Sequence, residues 1–141
     1  MKQILVALDG SPRAAGVLAK AVGIARSQGG RLLLLRAVRL PPDIAADFSE
    51  ATDGPRIDRL EERARAYLDG QIREVPPELF GRAEVVIGPP WKAICDTARR
   101  FEVDLIVIGA HGYDSAESML GTTAARVVNH ASVSVLVTRE P

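Results

Sequence analysis

The segment Ile4-Leu5-Val6-Ala7-Leu8-Asp9-Gly10-Ser11-Pro12 decides the fold. Its five consecutive apolar residues, with no polar alternation, suit a strand covered on both faces. The run stops at a carboxylate and a glycine. Ser11-Pro12 then suits a helix start, with Ser11 as N-cap and Pro12 at the first helical position. Beyond it Val17, Leu18, Ala21, Val22, Ile24 and Ala25 recur at helical spacing, and Gly29-Gly30 ends the helix. A buried strand feeding an amphipathic helix is the opening of a β-α-β unit.

The chain repeats that alternation. Leu32 to Val38 reads as a second buried strand, closed by Pro41-Pro42. Residues 39 to 54 lack a clear period and read as a loop, with a short helical turn at Ile44 to Phe48. Pro55 opens the next helix, whose inward positions are Ile57, Leu60, Ala64, Tyr67, Leu68 and Ile72, and Pro76-Pro77 stops it. Ala83 to Ile87 is a third strand ended by Gly88-Pro89-Pro90, and Trp91, Ile94, Cys95 and Ala98 mark the inner face of a third helix. Leu105 to Ile108 is a fourth strand. A loop from Gly109 to about Gly121 leads to a fourth helix with Ala124, Val127 and Val128 inward, and Val133 to Val137 is the last strand. The expected architecture is α/β: an open, Rossmann-like five-stranded parallel sheet of order 3-2-1-4-5, with helices on both faces and one domain over residues 1–141.

Composition narrows the function. The chain has 141 residues, long enough for a core without disulfides or a structural metal. Eighteen Lys and Arg balance eighteen Asp and Glu, so there is no basic excess of the kind that nucleic-acid binders show. No apolar run is long enough to cross a membrane. Ile4 to Leu8 is too short for the core of a signal peptide. One cysteine, Cys95, cannot form an internal disulfide, and it reads as a small buried apolar residue. A cytoplasmic location is expected.

In an open sheet of this order, ligands bind beyond the carboxyl ends of the strands, where the winding reverses between the first and fourth strands. The residues there are Asp9-Gly10-Ser11 on one side and Gly109-Ala110-His111-Gly112 on the other. The second loop feeds a helix starting near Gly121-Thr122-Thr123, whose end suits phosphate. Asp9 suits ribose hydroxyls. Each feature also has a plain structural reading: the glycines as turn formers, Asp9 as a turn residue, Thr122 as a cap. His111 lies in the loop without an evident nucleophile partner, His130 sits at a helix end, and the two with Cys95 do not compose a zinc site. There is no Walker pattern and no Gly-x-Ser-x-Gly elbow. No catalytic residue is assigned.

The chain resembles the universal stress protein family over essentially its whole length. The resemblance rests on residues 4–11, on Leu34-Leu35-Arg36-Ala37-Val38, on Asp104 to Gly112, on Leu120-Gly121-Thr122 and on Val133 to Val137. It implies an adenine nucleotide alpha-hydrolase-like fold, a homodimer and, in one branch, binding of ATP or AMP. By resemblance, Gly109, Gly112, Gly121, Thr122 and Thr123 line the phosphates and Asp9 the ribose. Ala7 and Ile108 flank the pocket, and Ala37 offers backbone groups to the adenine. The family signature has nine residues between its second glycine and the closing Gly-Ser/Thr. Here there are eight, Tyr113 to Leu120, which either shortens the loop harmlessly or turns Gly121 away. No Lys or Arg lies between Gly109 and Thr122, whereas Asp114 and Glu117 are acidic. A triphosphate would therefore rely on backbone N–H groups, the helix end and a divalent cation such as Mg²⁺, with a preference for fewer phosphates.

Three functional readings follow: an adenine-nucleotide-binding sensor or regulatory module, a dimer that binds no nucleotide and acts through protein contacts, and a slow ATP hydrolase. The missing general base speaks against the third. The last strand, expected at a sheet edge, alternates valines with Ser132, Ser134 and Thr138 and invites pairing with a second copy.

Overall fold

The computed structural model of the chain describes residues 2–46, 48–111 and 119–139. Strand β1 (Gln3–Ala7) lies at the centre, between β2 (Arg31–Val38) and β4 (Leu105–Gly109). Strand β3 (Phe80–Ile87) extends the sheet beyond β2, and β5 (Ser134–Thr138) extends it beyond β4. Every pairing is parallel and the order is β3-β2-β1-β4-β5, as the alternation of elements predicts.

Side-chain alternation explains the continuous apolar runs. Ile4, Val6, Leu32, Leu34 and Val107 enter one core with α1 (Ala14–Gln28) and α3 (Glu50–Ile72). Their neighbours Leu5, Leu33, Leu35, Ile106 and Ile108 enter a second core with α4 (Pro90–Arg100) and α5 (Thr122–His130). Both faces of the central strands are thus dry, and each fully buried Leu or Ile stabilises the fold by about 1.5–3 kcal/mol. Cys95 is buried in the second core, where desolvation pushes its thiol pKa up. Trp91 packs on the same core, and its ring centroid lies 4.5 Å from that of His130.

Several local expectations are corrected. Helix α1 begins at Ala14 with Arg13 as its N-cap, not at Pro12 with Ser11. The Asp9 carboxylate accepts the Ser11 N–H at 2.9 Å, Ser11 Oγ accepts the Arg13 N–H at 3.3 Å, and the Ser11 carbonyl accepts the Ala14 N–H at 3.0 Å. These turns use the residues that would have made the first helical turn. At the other end Gly29 takes the left-handed conformation that closes the helix, with φ +69°.

Helix α3 begins at Glu50, five residues before Pro55, which sits inside it. Asp53, only 6% exposed, accepts the Ser49 N–H at 2.8 Å and so holds the helix start. Proline costs one hydrogen bond there, because it has no N–H for the carbonyl four residues back. Arg56 bridges Asp53 at 3.3 Å and Asp43 at 2.8 Å, tying α3 to the short helix α2 (Pro42–Ala46). That hydrogen bond holds the Asp43 carboxyl below its ordinary pKa. The helical turn expected at Ile44 to Phe48 thus lies slightly earlier, and Phe48 is exposed. A 3-10 turn at Pro77–Leu79 leads into β3, which starts at Phe80 rather than Ala83. In α5, Ala124 and Val127 are buried as expected, but Val128 is 47% exposed, because it has turned past the stripe that meets the sheet.

Candidate functional site

The connections leaving β1 and β4 go to opposite faces of the sheet, to α1 and to α5. The backbone therefore parts beyond the two central strands, and a cavity of about 420 Å³ opens there. That is an ordinary size for a small-molecule site. Ala7, Asp9, Ala37, Ile108, Gly109, Gly121, Thr122 and Thr123 all line it. Gly112 lies outside the described residues, as do Asp114 and Glu117.

The wall after β1 is self-satisfied. One Asp9 oxygen holds the Ser11 N–H, so the plain structural reading of this carboxylate is correct as far as it goes. Asp9 is nonetheless exposed at the cavity, and its second oxygen adds acceptor capacity.

The opposite wall is built by close approach. A Cβ on Gly109 would stand 3.1 Å from Val17 Cγ2, and one on Gly121 would stand 3.1 Å from the Ala110 carbonyl. Gly121 donates its N–H to that carbonyl at 2.7 Å, which seats the start of α5 directly beside the end of β4. The shortened signature therefore leaves Gly121 facing the same cavity as Asp9 and Gly109. Helix α5 begins with Gly121 as N-cap and no side-chain cap. Its first residues Thr122, Thr123 and Ala124 line the cavity. The opening N–H groups of a helix have no partner within it and carry a partial positive charge.

The third wall is the end of β2. The Leu35 carbonyl accepts from Leu8 N–H on the β1 side, and the Val38 carbonyl accepts from Gly88 N–H, away from it. Alternation along the strand turns the N–H and C=O of Ala37 to the β1 side, where β1 has already ended. Ala37 thus presents a peptide edge to the cavity. Its carbonyl accepts from Arg36 Nη1 at 2.7 Å. The Arg36 guanidinium lies beside Gly10 and 5.8 Å from the ring centroid of Tyr67.

Sequence reading located the cations poorly. It looked for them in the loop from Gly109 to Thr122 and found none. The structure brings Arg13, Arg36 and Arg39 to the cavity, against Asp9 as the one carboxylate of its described lining. The signal was present: Arg36 and Arg39 flank Ala37, and Arg13 lies four residues before Val17 on α1. The described lining is cationic on a chain of zero formal charge, which favours an anionic ligand. His111 also lines the cavity, and among the described residues neither of its ring nitrogens, both shielded from solvent, has a hydrogen-bond partner.

The described residues do not fit a metal ion held by the protein. None of them form a group of three His, Cys, Asp or Glu side chains suited to one. Mg²⁺ is ordinarily held by one or two carboxylates together with substrate phosphates, and one oxygen of Asp9 is already engaged. Among the described residues, no helix is long and apolar enough to cross a membrane.

Comparison with known proteins agrees with the architecture. A universal stress protein of Thermus aquaticus is 37% identical, with 98% of each chain covered. The structure of the universal stress protein UspA from Lactobacillus plantarum superposes with a TM-score of 0.76 at 27% identity, covering 98% of this chain and 97% of that one. A universal stress protein crystallised in complex with cAMP shares the fold with a TM-score of 0.60 at 23% identity, covering 98% of this chain and 96% of that one. The model of the universal stress protein family matches residues 1–139, and the chain belongs to that family.

Proposed function

We propose that the chain is an adenine-nucleotide-binding module that senses or reports nucleotide state. One observation carries the reading: Asp9, the peptide edge of Ala37 and the glycine-capped start of α5 converge on one cavity, its described lining cationic, at the switch point of the sheet. In this reading the base lies against Ala37, between Ala7 and Ile108. The ribose hydroxyls donate to Asp9, and the phosphates lie against Gly109, Gly121, Thr122 and Thr123. ATP and AMP are the proposed ligands. A fold relative crystallised with cAMP, itself an adenine nucleotide, supports the ligand class.

The protein is taken to work in the cytoplasm as a homodimer through β5, with no nucleic acid and no membrane as partner. Strand β5 is the end strand of the sheet, and Leu136 on it is 36% exposed. A bare edge with an apolar side chain suits pairing with a second copy. Light scattering on Leu136→Lys should then report monomers where the parent chain reports dimers.

Isothermal titration with AMP, ADP and ATP tests the ligand. Heat and a rise in melting temperature are expected at micromolar to millimolar nucleotide. A flat trace with all three at millimolar concentration would leave the reading of a dimer acting through protein contacts.

A further inference from the structure

We infer that Arg36 sets the base preference of this cavity, so that the chain takes guanine and hypoxanthine nucleotides about as well as adenine ones. The inference rests on the nucleotide reading above and widens it at the base alone. Its first support is the state of the shelf at the end of β2. Adenine brings a 6-amino donor to such a shelf, whereas guanine and hypoxanthine bring a 6-oxo acceptor. A bare peptide edge would receive the 6-amino group on its carbonyl. At Ala37 that acceptor is already met, by Arg36 Nη1 at 2.7 Å, and both residues line the cavity. The base therefore meets a guanidinium beside the Ala37 peptide. That group has five N–H donors and no acceptor, and the bond to Ala37 uses one of them. A 6-oxo group and the neighbouring N7 are two acceptors side by side, which a guanidinium fork matches bidentately. A 6-amino group meets the same fork donor to donor.

The second support is that the guanidinium is held in place. Arg36 follows the alternation of Leu32 and Leu34, so its stem rises on the α1 and α3 side of the sheet. Its head returns to the β1 side, where β1 has ended at Ala7. There a Cβ on Gly10 would stand 3.4 Å from Nη2 and 3.7 Å from both Cζ and Nε. Those near-equal distances lay the flat face of the guanidinium against Gly10. The φ of Gly10 is +77°, a conformation that glycine adopts without strain. The Tyr67 ring of α3 stands 5.8 Å from Cζ. A carbonyl, a glycine and an aromatic ring thus fix one planar group, and a planar fork fixed in this way is suited to recognising a planar pair of acceptors.

The test is isothermal titration of the intact chain with AMP, IMP and GMP, for the parent protein, Arg36→Met and Arg36→Lys. For the parent, IMP and GMP should bind no more than about threefold more weakly than AMP. Arg36→Met keeps an unbranched stem, removes the donors and uncovers the Ala37 carbonyl. AMP should then tighten by about threefold and IMP weaken by about threefold, a shift of roughly tenfold in their ratio. Arg36→Lys keeps a donor without the planar fork, and its ratio should fall between the two. A parent that prefers AMP to IMP by more than about threefold would overturn the inference and leave the adenine reading intact. An Arg36→Met protein in which AMP and IMP change by the same factor would also overturn it, since a merely structural role predicts that result. A parent that binds none of the three would remove the nucleotide reading itself.

Discussion

Two helix starts face one another across the cavity, and they are finished differently. At the start of α1 the chain satisfies itself: Asp9, Ser11 and the backbone take up the N–H groups of Ser11, Arg13 and Ala14. At the start of α5 the N-cap is a glycine, which has no side chain to cap the first turn. Serine or aspartate is the better N-cap in general, but a Cβ at this position would stand 3.1 Å from the Ala110 carbonyl, so close approach selects glycine here. The α1 wall is therefore built for folding, with one carboxylate oxygen to spare. The α5 wall has no such cap from its own N-cap residue. Arg13, Arg36 and Arg39 line the space between them, which suits the anionic ligand proposed above.

Variants can break this contrast. The largest effect is expected from Gly121→Val. Its Cβ would stand 3.1 Å from the Ala110 carbonyl and displace the start of α5. Losing two or three backbone contacts to phosphate should cost on the order of a hundredfold in nucleotide affinity. The crowding itself should cost about 1–3 kcal/mol of stability by chemical denaturation. Near-parental nucleotide affinity in a folded Gly121→Val protein would show that α5 does not meet the ligand.

Asp9 sharpens the contrast, because it serves both folding and ligand. Asp9→Ala removes the acceptor of the Ser11 N–H and should lower stability by about 0.5–1.5 kcal/mol, with about a tenfold loss of AMP affinity. Asp9→Asn keeps an acceptor for the turn. It should restore most of the stability and less of the affinity, since ribose hydroxyls then meet a neutral amide. If the two variants behave alike in both measurements, Asp9 has one role and not two.

The smallest effect belongs to Ser11→Ala. It deletes an acceptor for the Arg13 N–H at 3.3 Å, a long bond. Stability should fall by about 0.5 kcal/mol with nucleotide affinity unchanged. A larger change in affinity than in stability would place the α1 wall in direct contact with the ligand.

Much of the fold was legible because its signals are local. An apolar run of strand length, a helical stripe and a glycine stop can each be read within a dozen residues, and right-handed crossovers restrict the order. The helix boundaries were less legible. Pro55 reads as a helix opener, yet a buried carboxylate two residues earlier caps a start at Glu50. Val128 reads as inward on a period that the short α5 does not sustain. At the site, Asp9 and the glycines were readable from turn chemistry and from the resemblance, whereas the arginines were not.

The order of elements, the two-sided burial of the central strands and the place where the winding reverses were determined by the sequence alone, since spacing along a chain is enough to specify them. Only the tertiary structure decided that Arg13, Arg36 and Arg39, spread over 27 positions of chain, line one space with Asp9. Charge gathers there through folding. A guanidinium at the end of a long side chain acts through space, and no spacing in the sequence records which carboxylate, carbonyl or helix end it will stand beside.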